Sequence, residues 1–281
     1  MSKTTGKRLP RWISGTLLLL WAFCVVYPMV WSFLGALKDN QQFFTGKAWA
    51  LPKLPLLWSN FSYTWDTYHF GRYFVNSIVV TAGSMALALA LAATTGYVLA
   101  RYTFKGSGLL YYFYISSLMI PAILSLVPLF FLFNTLHLTN SLLGLIVLYA
   151  IGALPFGIFV IIGFFKSLPR ELEESATMDG ASHYGVFFRI MLPLAMPGLI
   201  TVGIVNALNF WNEYPLALIL MNDPDRYTLP IGLAVMQGEM QYRTEWGPLF
   251  AGLFISTLPM LVLYAIFQSR INEGLVAGAI K

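Results

Sequence analysis

The chain has 281 residues, of which 58% are hydrophobic and only 10% are charged. Soluble domains carry about 25% charged residues, so this composition excludes an ordinary water-soluble globular protein and predicts an integral membrane protein. The formal net charge of +5 is explained by basic residues that flank membrane helices, and we therefore expect no nucleic-acid partner.

Apolar segments of about 20 residues or more recur along the chain, which is the length that a helix needs to cross a bilayer. A transmembrane β-barrel would show short segments of alternating polarity instead. The prediction is an all-α integral membrane protein in which residues 1–281 form a single transmembrane domain in the lipid bilayer. Its six predicted transmembrane helices cover residues 13–37, 73–100, 109–133, 141–165, 197–221 and 249–268.

The first predicted helix follows a basic N-terminal segment, as in a secretory signal peptide. Its apolar run is longer than in such peptides and no clear cleavage site follows, so we predict an uncleaved helix. Cys24 is the only cysteine and lies inside this helix, which leaves no disulfide partner in the chain. His69, His137 and His183 belong to different loops, so we expect no metal site.

Lys and Arg are unevenly distributed between the loops. They are frequent in the N-terminal segment, after the second helix, in the loop 166–196 and in the C-terminal tail. Positive residues in short loops face the cytoplasm. We therefore predict that both termini and the loop 166–196 are cytoplasmic, and that the loop 222–248 is extracytoplasmic.

Small residues recur four positions apart in the second and fifth predicted helices. Ala88, Ala92 and Gly96 form one such set, and Gly203 and Ala207 form another. Small side chains let helix backbones approach closely in membranes. These positions therefore predict helix–helix contacts.

The loop 166–196, called the polar loop below, is the largest polar segment between the apolar runs of the C-terminal half. Ser167, followed by Pro169, is a helix-start signal. Acidic side chains are favoured in the first turn of a helix, near the positive end of its dipole. Three acids follow here: Glu171, Glu173 and Glu174.

Gly180 predicts the end of this helix in a left-handed conformation. Either Asp179 or Ser182 can then begin a second short helix. Pro193 and Pro197 predict a break before the fifth transmembrane helix. The polar loop is therefore expected to hold two short helices that meet at a sharp angle on the membrane surface.

Polar residues in the fifth predicted helix are the candidates for a solute path. Asn206, Asn209 and Glu213 recur at helical spacing, with Trp211 and Asn212 beside them. Polar groups at membrane depth line a cavity or pair with a neighbouring helix. Both interpretations stay open, because sugar binding and a polar ladder between helices produce the same one-sided pattern.

Sequence signatures of catalysis are missing. The sequence has no phosphate-binding Gly-x-x-x-x-Gly-Lys-Ser/Thr pattern, no His-Glu-x-x-His zinc helix and no Gly-x-Ser-x-Gly elbow. We therefore predict a conduit and not an enzyme.

The polar loop resembles a known family signature. The segment Glu174-Ser175-Ala176, with Gly180 after it and Ile190, Leu192 and Pro193 further on, is similar to the pattern Glu-Ala-Ala-x-x-x-Gly-x(9)-Ile-x-Leu-Pro. That pattern marks the membrane subunits of binding-protein-dependent ABC importers. Ser175 replaces the first alanine and is small enough to keep its packing role. Residues 168–172 and 195–199 are typical of the carbohydrate branch.

The resemblance continues through the C-terminal half. Residues 210–214, 227–233 and 274–281 look like the second permease subunit of the maltose-transporter type. This implies a MetI-like permease with its core importer fold in residues 73–270. The polar loop would carry the coupling helix that enters the cytoplasmic ATPase, through Glu174, Ser175, Ala176, Asp179, Gly180, Ile190, Leu192 and Pro193.

The resemblance also implies an assembly. It comprises a second related permease subunit, two ATPase subunits that bind ATP and Mg, and an extracytoplasmic sugar-binding protein that contacts the loop 222–248. The C-terminal tail would also touch the ATPase. The expected place is the cytoplasmic membrane of a bacterium or archaeon, with no cofactor in this chain. The expected activity is import of a disaccharide, oligosaccharide, polyol or sugar phosphate by alternating access.

Other functions are less consistent with the residues. A secondary transporter needs intramembrane ionisable groups, of which Glu213 is the only candidate. A membrane enzyme needs a cluster of acids, histidines or metal ligands at one depth. A scaffold without transport leaves the coupling pattern unexplained.

Overall fold

A computed structural model describes residues 11–47, 49–240 and 244–279, and all regular secondary structure in this part of the chain is helical. The α-helices, in chain order, are α1 Arg11–Ala36, α2 Asn40–Thr45, α3 Ser59–Asp66, α4 Phe70–Arg101, α5 Ser107–Ser117, α6 Leu126–Thr135, α7 Leu142–Ser167, α8 Glu171–Met178, α9 His183–Val186, α10 Leu192–Leu194, α11 Met196–Trp211, α12 Pro215–Leu220, α13 Leu229–Glu239 and α14 Trp246–Ala279. Short 3₁₀ turns cover Ala122–Ser125 and Pro224–Arg226, and a π-turn covers Phe187–Met191.

Four of these helices, α1, α4, α7 and α14, are long and apolar enough to cross a membrane. Two bent helix pairs, Ser107–Ser117 with Ala122–Thr135 and His183–Leu194 with Met196–Trp211, raise the number to six if each pair is one span. The predicted all-α membrane fold is therefore confirmed, with four candidate spans in the described part of the chain and up to six if both bent pairs cross the membrane. The second pair includes His183–Leu194 of the polar loop, which the prediction leaves outside the fifth span.

The third span departs from the continuous helix predicted over 109–133. Its two halves are bent by 98°. Pro121 lies at the bend, where it lacks the N–H that a continuous helix needs and restricts the preceding residue to an extended conformation. The α5 half packs through Tyr111 and Tyr114 against a cluster that contains Ala92, Ile158 and Ile162.

The fifth span is also interrupted, within the predicted helix 197–221. The helix α11 ends at Trp211 and α12 begins at Pro215. Proline suits the first turn of a helix, where its missing N–H would have no partner, but not the interior. The polar residues Asn212 and Glu213 therefore lie in a connection between two helices.

The chain divides into two compact units, and the first comprises Met1–Phe70 and Leu233–Leu258. Its core holds Ala36, Phe250 and Ala251, with the ring of Phe43 stacked on Phe250 at 5.4 Å. Side-chain hydrogen bonds fix the segments after α1. Asn60 donates to the carbonyls of Ala36 and Lys38 at 2.7 and 3.0 Å.

Within this unit, Tyr68 links the segment after α3 to the start of α14. Its hydroxyl donates to the carboxylate of Glu245 at 2.9 Å, and Thr64 donates to the carbonyl of Pro248 at 2.9 Å. Burial, followed by the hydrogen bond to Glu245, raises the pKa of Tyr68 above its usual value. The phenol therefore stays protonated and keeps its donor role at neutral pH.

The second unit, Gly71–Gly232 with Pro259–Lys281, contains the polar loop and the fifth span. Here α4, α7 and α11 pack through small residues. A Cβ placed on Gly96 would lie 2.8 Å from Ile161, one on Gly157 would lie 3.0 Å from Ala92, and one on Gly203 would lie 3.3 Å from Leu89. The predicted close contacts at Ala92, Gly96 and Gly203 are confirmed.

Some sequence predictions fall on residues outside the described part of the chain. They concern the basic N-terminal residues 1–10, Arg243 in the loop 222–248, and residues 280–281 of the tail.

Candidate functional site: the polar loop and the fifth span

The first helix of the polar loop, α8, ends in the left-handed turn that the sequence predicts. Gly180 has a φ of 84°. Its N–H donates to the carbonyl of Thr177 at 3.0 Å, and the N–H of Ala181 donates to that of Ala176 at 3.0 Å, which is a Schellman motif. A Cβ at Gly180 would meet nothing within 4 Å, so the requirement for glycine comes from the backbone conformation and not from space.

The start of α8 differs from the prediction. Ser167 belongs to the last turn of α7, where its hydroxyl donates to the carbonyl of Phe164 at 2.7 Å. The cap of α8 is Arg170, which makes no side-chain capping bond. The three acids nevertheless lie in the first turn as predicted. Their negative charges stabilise the positive end of the helix dipole.

The second helix begins at Ser182, whose Oγ accepts the N–H of Gly185 at 3.2 Å. It then continues through the π-turn Phe187–Met191 to Leu194, and Pro193 lies in the first turn of α10. The chain bends by 68° at Ala195, between Pro193 and Pro197. The predicted break before the fifth span is therefore confirmed, and it falls between the two prolines.

Apolar side chains of the polar loop are divided between two environments. Ala176 and Met191 are buried, and Ile190 and Leu192 pack on the same cluster, which anchors the loop to α4 and α7. Other apolar side chains on these two helices are exposed: Met178 is 89% exposed and Tyr184 is 79% exposed. Glu174, Ser175 and Asp179 are also exposed. The loop thus presents a mixed acidic and apolar surface.

Arg101, the last residue of α4, contacts the polar loop at two points. Its Nε lies 2.6 Å from Oε1 of Glu173, and its Nη2 donates to the carbonyl of Leu168 at 2.9 Å. The Arg101 side chain is only 5% exposed and that of Glu173 is 21% exposed. The sequence predicts no structural role for Arg101, which is one of the basic residues after the second predicted helix, since a partner 72 positions later leaves no local pattern.

Residues of the fifth span do not share one environment. Asn206 is buried, and its Nδ2 has no hydrogen-bond partner within the described part of the chain. Asn209 and Asn212 are exposed, and the Asn212 amide donates back to the carbonyl of Leu208 at 2.8 Å. Trp211 is buried with its ring edge-on to Phe74 at 5.9 Å.

The carboxylate of Glu213 is hydrogen-bonded within the protein. Its carboxylate accepts the N–H groups of Leu216 at 2.7 Å and Ala217 at 3.0 Å, which caps the start of α12. The hydroxyl of Tyr149 on α7 donates to the same carboxylate at 2.6 Å. Glu213 therefore joins two helices at the interruption of the fifth span.

The turn that follows α12 is fixed by two asparagines. Oδ1 of Asn140 accepts the N–H groups of Asn222 and Asp223 at 3.0 and 2.9 Å. The amide of Asn76 donates to the carbonyls of Asp225 and Tyr227 at 3.0 and 2.9 Å. This turn, residues 222–227, is the first part of the predicted outer loop.

No cluster of His, Cys, Asp and Glu that could hold a metal ion is present among residues 11–47, 49–240 and 244–279. The site therefore offers an exposed acidic and apolar surface on the polar loop and polar groups along a helix interruption.

Comparison with known proteins gives a consistent result. Residues 92–275 match the family described as "Binding-protein-dependent transport system inner membrane component". The diacetylchitobiose uptake system permease protein NgcG of Streptomyces coelicolor is 37% identical over 96% of this chain and 88% of its own length. The sulfoquinovosyl glycerol transport system permease protein SmoH of Agrobacterium fabrum is 32% identical over 99% of this chain and 95% of its own length.

The fold has a counterpart among solved structures. A chain from the crystal structure of a bacterial ABC transporter involved in the import of the acidic polysaccharide alginate superposes with a TM-score of 0.78. The alignment covers 92% of this chain and 94% of that chain, at 21% identity.

Proposed function

We propose, since this chain belongs to the family of binding-protein-dependent transport system inner membrane components, that it is the permease subunit of an ATP-driven importer for a sugar. The chain is a multi-pass membrane protein of the ABC permease family. Relatives whose names assign them diacetylchitobiose and sulfoquinovosyl glycerol support a glycoside or oligosaccharide as the transported solute.

The exposed surface of the polar loop is the observation that carries this proposal. Met178 and Tyr184 are large apolar side chains on a polar, water-facing segment, and they are almost fully exposed. Exposed apolar patches rimmed by polar groups mark protein–protein contacts. We assign this surface to an ATPase subunit, with Glu174 as the acidic group at its edge.

Energy for transport then enters through the polar loop. ATP and Mg are bound by two separate ATPase subunits, and their closure displaces α8 and α9. A conformational change requires a differential interaction with the two states, which the docked ATPase provides as it closes and opens. The permease alternates between inward-facing and outward-facing states and has no ATPase site of its own.

The solute path is proposed to run beside the interruption of the fifth span. Asn209 and Asn212 are exposed there and offer amide hydrogen bonds, while Trp211 and Asn206 support the wall from the buried side. Glu213 shapes the path by holding α12. Exposed amides suit the hydroxyl groups of a sugar, which is consistent with the proposed substrate class.

The other partners follow from the family. A second related permease completes the path, and an extracytoplasmic binding protein delivers the sugar to the loop 222–248. The assembly resides in the cytoplasmic membrane, with both termini and the polar loop in the cytoplasm. The ordered turn 222–227 supports this assignment, because a fixed surface lowers the entropy cost of docking.

Charge reversal and a backbone change in the polar loop test the proposal. Glu174→Lys should repel the partner, and Gly180→Val should destabilise the turn by about 1 kcal/mol or more, since a β-branched residue is strained at positive φ. We expect both variants to reach the membrane, to lose the copurifying ATPase and to lose ATP-dependent uptake of radiolabelled diacetylchitobiose, the first probe to be tried.

Two matched controls accompany these variants. Asp66→Lys reverses an exposed charge at the end of α3, and Gly180→Asn keeps a residue that tolerates the left-handed conformation. Both should retain the ATPase. If Glu174→Lys and Gly180→Val also retain the ATPase and full uptake, the coupling assignment is wrong. Uptake that a protonophore abolishes while ATP is maintained would favour a secondary transporter instead.

A further inference from the structure

Two neighbouring acids on α8 face opposite environments. Glu174 is exposed on the surface proposed for docking, whereas Glu173 turns inward to Arg101. Successive residues on a helix are separated by about 100°, so adjacent side chains can serve different neighbours. The inward acid therefore needs a role of its own.

The Arg101–Glu173 pair is shielded from water. Exposed ion pairs contribute little, because water screens them and the side chains lose entropy. Removal of one partner from a buried pair instead leaves an uncompensated charge. With Arg101 only 5% exposed, the pair belongs to the second class.

Arg101 contacts three elements at once. It ends α4, its Nε pairs with Glu173 on α8, and its Nη2 bonds the carbonyl of Leu168, the residue that caps the end of α7. The planar guanidinium presents several donors in a fixed geometry, which a lysine ammonium on a flexible stem cannot reproduce.

Aromatic packing reinforces the same junction. Tyr97, one turn before Arg101, lies 4.9 Å from the ring of Phe187 and 5.3 Å from that of Phe165. Tyr97 and Arg101 thus bind the end of α4 to both helices of the polar loop. A groove of about 450 Å³ beside them is lined by residues that include Glu174, Thr177 and His183, and both partners of the ion pair line it as well.

We propose that Arg101 is the positioning residue that makes α8 and α4 move as one body, through its ion pair with Glu173. This inference rests on the proposed function, since it assigns the route by which displacement of α8 reaches a membrane helix. Coupling needs a physical connection between elements, and the pair with the Leu168 bond is that connection here.

Distance measurements between spin labels test this connection. Cys24→Ser removes the only cysteine, and Val75→Cys on α4 with Glu171→Cys at the start of α8 places labels on two exposed positions. In the purified complete transporter we expect one narrow distance that is the same without nucleotide and after trapping with Mg-ATP and vanadate. In Arg101→Gln we expect a broad distribution of label-to-label distances in place of the single narrow one. The ATPase should still copurify, because Glu174 and Met178 are untouched.

Further variants separate positioning from general damage. Glu173→Gln should reproduce Arg101→Gln, and the double variant should be no worse than either, because the two residues act as a unit. Arg101→Lys should restore the narrow distance only in part. Lys105→Gln, which removes an exposed positive charge four residues away, should match the unsubstituted protein.

Each result decides the question. An unchanged narrow distance in Arg101→Gln, or additive effects in the double variant, would overturn the inference. If Arg101→Gln does not reach the membrane, Glu173→Gln carries the test, since its partly exposed side chain keeps its shape. Absence of the ATPase from the unsubstituted complex would instead refute the proposed function.

Discussion

At the scale of single residues, the fifth span separates two kinds of polar side chain. Glu213 accepts three hydrogen bonds, two from the start of α12 and one from Tyr149 on α7. Asn209, four positions earlier, has an exposed side chain. A carboxylate that is fully engaged holds helices together, whereas an exposed amide is available to a solute.

Alanine substitutions should distinguish these roles. Glu213→Ala removes a helix cap and should cost about 1 kcal/mol or more, which corresponds to a decrease of about 2–3 °C in the unfolding midpoint. Asn209→Ala should leave the midpoint unchanged and reduce uptake. Differential scanning fluorimetry in detergent, with an uptake assay, measures both. A stable Glu213→Ala beside an unstable Asn209→Ala would reverse the assignment.

Local conformations were accessible from the sequence, and distant partners were not. Gly180 was predicted as a left-handed helix end because the conformation depends on the residue itself and its immediate neighbours. The acidic first turn of α8 was predictable for the same reason. The partner of Arg101 was not predictable, because the approach of residues 101 and 173 depends on how α4 and α7 pack.

At the scale of elements, a proline does not by itself decide where an apolar segment stops being continuous. Hydropathy predicts apolar segments, since it depends on composition, but it does not report a bend. Pro121 accompanies a 98° bend in the third span, while Pro155 and Pro259 lie inside helices that remain long enough to span a membrane. The difference comes from tertiary contacts, which compensate a lost hydrogen bond at some positions and not at others.

The turn 222–227 gives a test at this scale. Asn140→Ala removes the acceptor for two backbone N–H groups and places alanine at a φ of 55°, so the turn should loosen by about 1 kcal/mol. Asn140→Asp keeps both the acceptor and the tolerance for this conformation. We expect trypsin to cleave after Arg226 faster in the alanine variant only. Equal cleavage rates in the two variants would show that Asn140 does not fix the turn.

At the scale of the whole molecule, the arrangement of loops implies an orientation. The predicted fifth span, residues 197–221, separates the polar loop from the turn 222–227, so the proposed topology places the two on opposite sides of the membrane. The distribution of Lys and Arg predicts which side is which. This prediction rests on composition and not on packing.

Cysteine labelling measures the orientation directly. In a Cys24→Ser background, Asn222→Cys should react with a membrane-impermeant maleimide in intact cells, and Ser182→Cys should react only after permeabilisation. Both positions are exposed, so a lack of reaction reports the membrane and not burial. Labelling of Ser182→Cys from outside would invert the predicted topology and exclude the polar loop as an ATPase contact.

The bend in the third span also affects how the protein is made. α5 has 11 residues, which at 1.5 Å per residue gives about 16 Å, roughly half the thickness of the hydrocarbon core. A nascent chain that emerges from the ribosome therefore offers the insertion machinery two half-length pieces in succession. α5 packs against α4, which precedes it in the chain, but also against α7, and α6 packs against α12, so each piece lacks at least one final neighbour when it is synthesised. We therefore expect this segment to become stable in the bilayer only after α7 and α12 have been synthesised.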